Sequence, residues 1–241
     1  MKKLKVRDLA FRYEDKPLFE NISFSIEDGE FVSLLGASGC GKSTILNLLS
    51  GIRLPERGTM WVDGQQILGM NSHFAYMPQN DLLFPWKTIL QNVCLHGKIH
   101  GHEAAAQERA LALFPSFGLA GYEKAYPREL SGGMRQRAAF LRTSLCEADV
   151  LLLDEPFGAL DVISRGDMQD WLVSMKQQLH RTALMVTHDI DEAIYLSDRI
   201  LIIGGHPAHI LQEVPVTQRD RSRDWLYQQA ELRRRLHDAI R

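Results

Sequence analysis

Apolar residues along this chain recur with two different periods, and the changes between them divide the sequence. Near the start, "KLKVRDLAFRY" and "ISFSI" gather β-branched and aromatic residues around the turn "EDGE", which predicts strands. "EFVSLLG" is a short continuous apolar run, as in a strand buried on both faces. Ile45, Leu48, Leu49 and Ile52 then fall at helical spacing, predicting a helix from about Ser43 to Gly51. "GTMWVDG" predicts a further strand between turns. From 80 to 145 long β runs stop and helix formers dominate, as in "EAAAQERALALF". The β pattern returns in "DVLLLDEP", "TALMVTHD" and "RILIIGG", separated by helical stretches. That alternation predicts a mostly parallel sheet with helices packed on it.

The expected architecture is therefore a single α/β domain over 1–241. Its core is formed by 1–79 and 146–215, with an N-terminal antiparallel β subdomain and an inserted helical subdomain over 80–145. A C-terminal helix over 216–241 would place Trp225, Leu232, Leu236 and Ile240 on one face. Acids interrupt the basic face of that helix, so docking on its own protein is favoured over lipid or nucleic acid.

Composition narrows the setting. The chain of 241 residues is 45% hydrophobic and 24% charged, as in ordinary soluble globular proteins. A formal net charge of −2 supplies no general attraction to nucleic acid, and no such partner is expected. Cys40, Cys94 and Cys146 are scattered and odd in number, which argues against a disulfide framework and for a reducing, cytoplasmic compartment. The N-terminus is basic but soon carries acids and lacks the apolar core of a signal peptide. No window approaches the roughly 18 apolar residues of a membrane span, so the chain is not expected to cross a bilayer by itself.

The stretch "GASGCGKST" fits G-x-x-x-x-G-K-[ST], a phosphate-binding loop between strand and helix. Gly36, Ala37, Ser38, Gly39, Cys40, Gly41, Lys42, Ser43 and Thr44 would present main-chain N–H groups to phosphate oxygens, with no Cβ in the way at the glycines. The helix that follows points its positive end at the same place. Lys42 would reach the β and γ phosphates and Ser43 would ligate Mg2+, as in a P-loop NTPase core, a device that kinases, GTPases, motor proteins and transporters share and that leaves function open. The plain alternative is a flexible turn with an incidental lysine. "VLLLDEP" ends a buried strand on two acids, and ligands sit at that end of an open parallel sheet. Asp154 suits the metal and Glu155 suits polarising a water; standing alone, the pair could simply cap a strand. In "ELSGGMRQRAAFLRT", Ser131 can cap a helix whose first residues, Gly132 and Gly133, expose their N–H groups. That is a second anion-facing helix end.

With that stretch the chain resembles the ATP-binding-cassette ATPases, whose signature Leu-Ser-Gly-Gly-Gln reads here Leu130 to Met134. The resemblance runs to about Gly205. It implies that Tyr13 stacks on adenine, that Gly36 to Thr44 is the Walker A loop, and that Gln79 is the Q-loop glutamine, touching metal and γ-phosphate. It further implies that Asp154 and Glu155 are the Walker B pair, with Glu155 as base, that Asp161 in the D-loop links two sites, and that His188 is the switch histidine. Singly, Tyr13 could be a sheet-face aromatic, Gln79 a loop residue and His188 a satisfied histidine. The family's mechanism implies a head-to-tail homodimer, with each ATP between one chain's Walker A loop and the other's Ser131 to Gly133. Met134 replaces the signature glutamine, but helix-end N–H groups do not depend on that side chain.

Membrane helices fused to the cassette, common in exporters, are absent from this sequence, so separate transmembrane permease subunits are implied. "NDLLFPWKTILQNV" resembles the "LLPW" stretch of the nitrate, sulfonate and taurine importer ATPases. Leu82, Leu83, Phe84 and Trp86 would form an apolar patch for the permease, or simply pack the helical subdomain. These features imply an ATPase on the cytoplasmic face of the inner membrane, peripheral to it, working with a periplasmic or lipid-anchored solute-binding protein. A soluble cassette ATPase of DNA repair or translation is the alternative, but such members carry a long coiled coil or two cassettes. His96, His100 and His102 in "HGKIHGH" lack a completing cysteine or carboxylate cluster and read as exposed loop residues rather than a metal module.

Overall fold

In a computed structural model the chain, described over residues 2–179, 181–218 and 221–240, builds two sheets. In the first, β1 (Lys2–Tyr13), β2 (Lys16–Glu27), β4 (Arg57–Val62) and β5 (Gln65–Gln66) pair antiparallel in the order β2-β1-β4-β5. The second has the order β10-β9-β3-β8-β7-β6. Its strands β3 (Phe31–Leu35), β6 (Phe74–Met77), β7 (Val150–Asp154), β8 (Thr182–Thr187) and β9 (Arg199–Gly204) run parallel. Only β10 (His209–Pro215) lies antiparallel, on one edge. The antiparallel N-terminal sheet and mostly parallel second sheet are those predicted from the strand pattern.

The period of two along each central strand sorts its side chains into two cores. Val32 and Leu34 of β3, Leu152 of β7 and Leu184 of β8 face one cluster, joined by Leu4, Val6 and Ile22 from the first sheet. Ile45, Leu46, Leu48 and Leu49 of α1 (Lys42–Leu49) fill the same cluster and so fix this helix against both sheets. Full burial of each such side chain is worth about 1.5–3 kcal/mol. The alternate residues Leu35, Leu151, Leu153 and Met185 face the other cluster. There they meet α5 (Gly132–Ser144), α6 (Val162–Leu179) and α7 (Ile190–Leu196).

Among the described residues, 80–145 contribute no strand. They form α2 (Ile89–Val93), α3 (Leu95–Ile99), α4 (Glu103–Leu113), a 3-10 turn over Pro127–Glu129, and α5. Aromatic edges tie this segment to α6: the Trp171 ring lies 5.0 Å from Phe117 and 5.4 Å from Phe140. The Trp171 indole N–H also donates to the Ser116 carbonyl at 3.0 Å.

Two predicted elements differ from what the periodicity suggests. Helix α1 stops at Leu49, and Ile52 is 58% exposed instead of completing the apolar face. Gly51 takes φ +77° just past the helix, where its backbone turns tightly against Gly69. The C-terminal segment is two helices, α8 (Arg223–Tyr227) and α9 (Ala230–Ile240), and not one. Leu236 is fully buried and Trp225, Leu232 and Ile240 pack against the large core. Positions 219, 220 and 241 of the predicted C-terminal helix lie outside the described residues.

Candidate functional site

The loop from β3 to α1 is shaped by its glycines. Gly39 and Gly41 take φ +84° and +99°, where a side chain would be strained. Gly36 is needed for a different reason: a Cβ there would come within 2.4 Å of the Ile203 carbonyl oxygen on β9. Lys42 is buried, and its Nζ donates to the carbonyls of Gly36 and Ala37 at 2.9 Å each. Its charge is thus held inside the curl of the loop. The loop borders a cleft of about 230 Å³ lined by Tyr13, Leu18, Ser38, Gly39, Gly41, Lys42, Ser43, Thr44 and Glu155. Ala37 is exposed, whereas Cys40 is buried in the core beneath the loop, where burial pushes its thiol pKa up. Tyr13 is 44% exposed, with its hydroxyl 3.4 Å from the Thr44 hydroxyl, the Arg53 guanidinium over its ring at 5.1 Å and the Phe11 ring edge-on to it at 5.0 Å.

The opposite wall comes from the ends of β7 and β8. Ser43 donates to Asp154 Oδ1 at 2.8 Å, and Tyr76 donates to Asp154 Oδ2 at 2.8 Å. Burial first, and this contact next, push the Tyr76 hydroxyl well above its ordinary pKa, so it stays a donor. A magnesium ion bound octahedrally at 2.0–2.1 Å sets adjacent oxygens about 2.9 Å apart. The 2.8 Å spacing of the Ser43 and Asp154 oxygens fits two neighbouring corners of that shell. Glu155 adopts φ +43°, a strained value for a non-glycine residue, and its N–H donates to Val186 O at 3.0 Å. The bend brings its carboxylate to the cleft and sets Glu155 Oε2 3.1 Å from His188 Nδ1.

Tyr13, Lys42, Ser43 and Glu155 therefore line one cleft, with Asp154 bonded to Ser43 and His188 beside Glu155 at its border, and other predicted residues lie off it. Gln79 turns its amide against Gly158, in the loop after Glu155, and its carbonyl accepts from Gln136 at 3.1 Å. Ser131 caps α5, its Oγ accepting Met134 N–H at 3.3 Å, with Gly132 and Gly133 forming the open first turn. Asp161 caps the start of α6 by accepting from Ile163 N, Ser164 N and Ser164 Oγ. The Ser164 bonds hold its carboxyl below the usual carboxylate range. Neither Asp161 nor Ser131 to Gly133 lines the cleft.

Sequence reasoning missed Leu18, which lines the cleft, and Tyr76, which holds Asp154. The signal for Tyr76 is a register: it pairs with Leu152 on β7, two residues before Asp154, and strand pairing is not written in local sequence.

A glycine-rich loop curled around a buried lysine, a serine–aspartate pair and a strained glutamate beside a histidine, set at the strand ends of a mostly parallel sheet, are the arrangement of a P-loop protein. The family pattern described as "ABC transporter" matches residues 19–158, and the chain belongs to that family of ATPases. The formylaminopyrimidine import ATP-binding protein ThiZ of Halalkalibacterium halodurans is 46% identical over 215 residues, 88% of this chain and 84% of that one. The nitrate import ATP-binding protein NrtD of Synechocystis is 42% identical over 200 residues, 82% of this chain and 74% of that one. The aliphatic sulfonates import ATP-binding protein SsuB 1 of Rhodococcus jostii is 47% identical over 195 residues, 81% and 76% of the two chains. Among solved structures, an ATP-binding cassette captured as a dimer in a post-hydrolysis state with ADP and Pi superposes with a TM-score of 0.72. It is 25% identical and covers 88% of this chain and 98% of that one.

Proposed function

We propose that this chain is the ATP-hydrolysing subunit of a solute importer and works as a head-to-tail homodimer on the cytoplasmic face of the membrane. The observation that carries this reading is that the loop, Ser43 and Glu155 line one cleft, whereas Ser131, Gly132 and Gly133, at the capped start of α5, do not line it. One chain would then supply only part of a nucleotide site. A second copy, turned so that its Ser131, Gly132 and Gly133 meet the γ-phosphate, completes the site with another set of helix-end N–H groups.

In that assembly Tyr13 stacks on adenine, and the N–H groups of Gly36 to Thr44 bind phosphates with Lys42. Ser43, Asp154 and Gln79 would hold Mg2+, which when bound would supply positive charge beside the phosphates. Glu155 takes a proton from the attacking water, held in place by His188, its neighbour at 3.1 Å. Asp161 links the two sites. The working division is a core of 1–79 and 146–215, a helical subdomain over 80–145 and a C-terminal segment over 216–241.

Two observations support import through a separate permease. The relatives named above are import proteins, which favours transport over a soluble ATPase of DNA repair or translation. The helical segment displays Leu82 and Trp86 at 61% and 70% exposure. A partner permease with an apolar helix fits that surface, and a solute-binding protein outside the membrane would choose the cargo.

Mixing two inactive variants tests the dimer. Lys42→Ala damages one half of the site and Ser131→Arg the other. Co-refolded together, they should regain ATPase activity, because one site of each mixed dimer is intact. If the mixture stays as inactive as its components, the shared-site reading fails.

A further inference from the structure

Glu192 is a buried carboxylate that the site described so far does not use. It lies in the first turn of α7 at 5% exposure, with both oxygens engaged. Oε2 accepts the Thr187 hydroxyl at 2.6 Å, and Oε1 accepts the Gln169 amide at 3.3 Å. Thr187 ends β8 directly before His188, and its Oγ1 accepts the N–H of Asp189 at 3.0 Å. The hydroxyl has a single proton, so giving it to Glu192 leaves a lone pair aimed at the peptide that follows His188. A glutamate at this position that served only as a cap would reach back to the cap residue's own N–H. Here Asp189 caps the helix through Asp191 N and Glu192 N, and Glu192 turns to Thr187 instead.

The other side of the carboxylate faces α6, which begins directly after Asp161. Gln169 holds Oε1 and in turn accepts Arg223 from α8 at 3.0 Å. Arg165 attracts the carboxylate across the same gap, and its Nη2 donates to the carbonyl of Leu160 at 3.3 Å.

We infer that Glu192 is a positioning residue for His188: through Thr187 it fixes the peptide link after the histidine, and through α6 it ties that link to Asp161. This inference rests on the reading of His188 given above. It places the two loops that must act together at the nucleotide on a single buried carboxylate.

Burial pushes the Glu192 carboxyl up to about 7, opposed by the Thr187 hydrogen bond, raised further by Asp189, and lowered by Arg165 and Gln169. Charge therefore appears on Glu192 as pH rises through about 7. Only the ionised form obliges Thr187 to donate; the neutral acid can donate to Thr187 and leave the bridge without a fixed direction.

The test is steady-state ATPase activity of the full chain against pH for wild type, Glu192→Gln, Thr187→Val, their double variant and His188→Ala. Glu192→Gln and Thr187→Val should each lower kcat about 10- to 100-fold, with KM for ATP changed by less than about twofold. The double variant should be no slower than the singles, because both break one relay. Thr187→Ser should restore most of what Thr187→Val loses, and the wild-type ionisation near 7 should vanish in Glu192→Gln. Losses that add in the double variant, or a Glu192→Gln pH profile matching wild type, would overturn the role. If Glu192→Gln does not fold, the Thr187→Val and Thr187→Ser pair decides: equal activity of the two overturns it. Normal turnover by His188→Ala would instead sink the reading of the site itself, whatever Glu192 does.

Discussion

Replacing Glu192 with glutamine removes a buried ionisation, and the surroundings of the residue set both sign and size of the effect on stability. In the unfolded chain the carboxyl ionises at its ordinary 4.5, whereas in the folded chain burial holds it up to about 7. Between those values the folded chain binds the extra proton. Wild-type stability therefore falls as pH rises through this window, and the stabilising contribution of the neutral carboxyl is lost above about 7. The full contribution is on the order of 3 kcal/mol. The amide that replaces the carboxyl carries no charge at any pH. Differences in its packing and hydrogen bonding add the same offset at both ends of the pH range and cancel in the change of the wild-type-to-variant difference with pH. Urea unfolding of both nucleotide-free proteins from about pH 5 to about pH 9 should show the free-energy difference moving toward the variant by about 2–3 kcal/mol. A difference that stays flat across that range would refute the idea that folded Glu192 holds a proton near neutrality.

Four further outcomes follow from the geometry. Lys42→Ala should abolish ATP hydrolysis, measured by phosphate release, because the charge curled into the loop is gone. Glu155→Gln should bind ATP but slow hydrolysis by about 10²–10⁴-fold, and gel filtration with ATP should show accumulated dimer. Trp86→Ala should leave nucleotide affinity and melting temperature unchanged while reducing permease recovered in a pull-down, since its ring is 70% exposed. Asn92→Ala should cost about 2 kcal/mol in unfolding free energy, because buried Asn92 accepts Phe84 N–H and donates to the carbonyls of Phe84, Lys87 and Thr88.

The period of the apolar positions made the strands legible. β3, β7 and β8 are buried on both faces, as continuous apolar runs require. Local turn chemistry made the phosphate loop legible too, since Gly39 and Gly41 sit at positive φ, where glycine is favoured. Contacts between distant segments stayed hidden. Nothing near Tyr76 announces that it pairs beside Asp154, and nothing near Glu192 announces a threonine as its partner. The patch expected from Leu82, Leu83, Phe84 and Trp86 is also smaller than its sequence suggests. Leu83 is buried in the core, and Phe84 is half-buried beside Trp86 with ring centres 5.2 Å apart. Burial of neighbouring apolar residues in a loop is decided by which hydrogen bonds pin the backbone. Here Asn92 and Arg142 do so, and Arg142 donates to the carbonyls of Asp81 and Leu82. The split of the C-terminal segment into α8 and α9 was hidden for a similar reason. Arg233 of α9 donates to the carbonyls of Leu226 and Tyr227, closing the corner between the helices.

A crystal structure of Glu155→Gln with ATP and Mg2+ decides whether one nucleotide is shared between two copies of this chain. Two chains related by a twofold axis are expected, each ATP lying between Lys42 of one copy and Ser131 of the other. ATP bound within a single chain, its γ-phosphate touched by no residue of a second copy, would contradict the shared site.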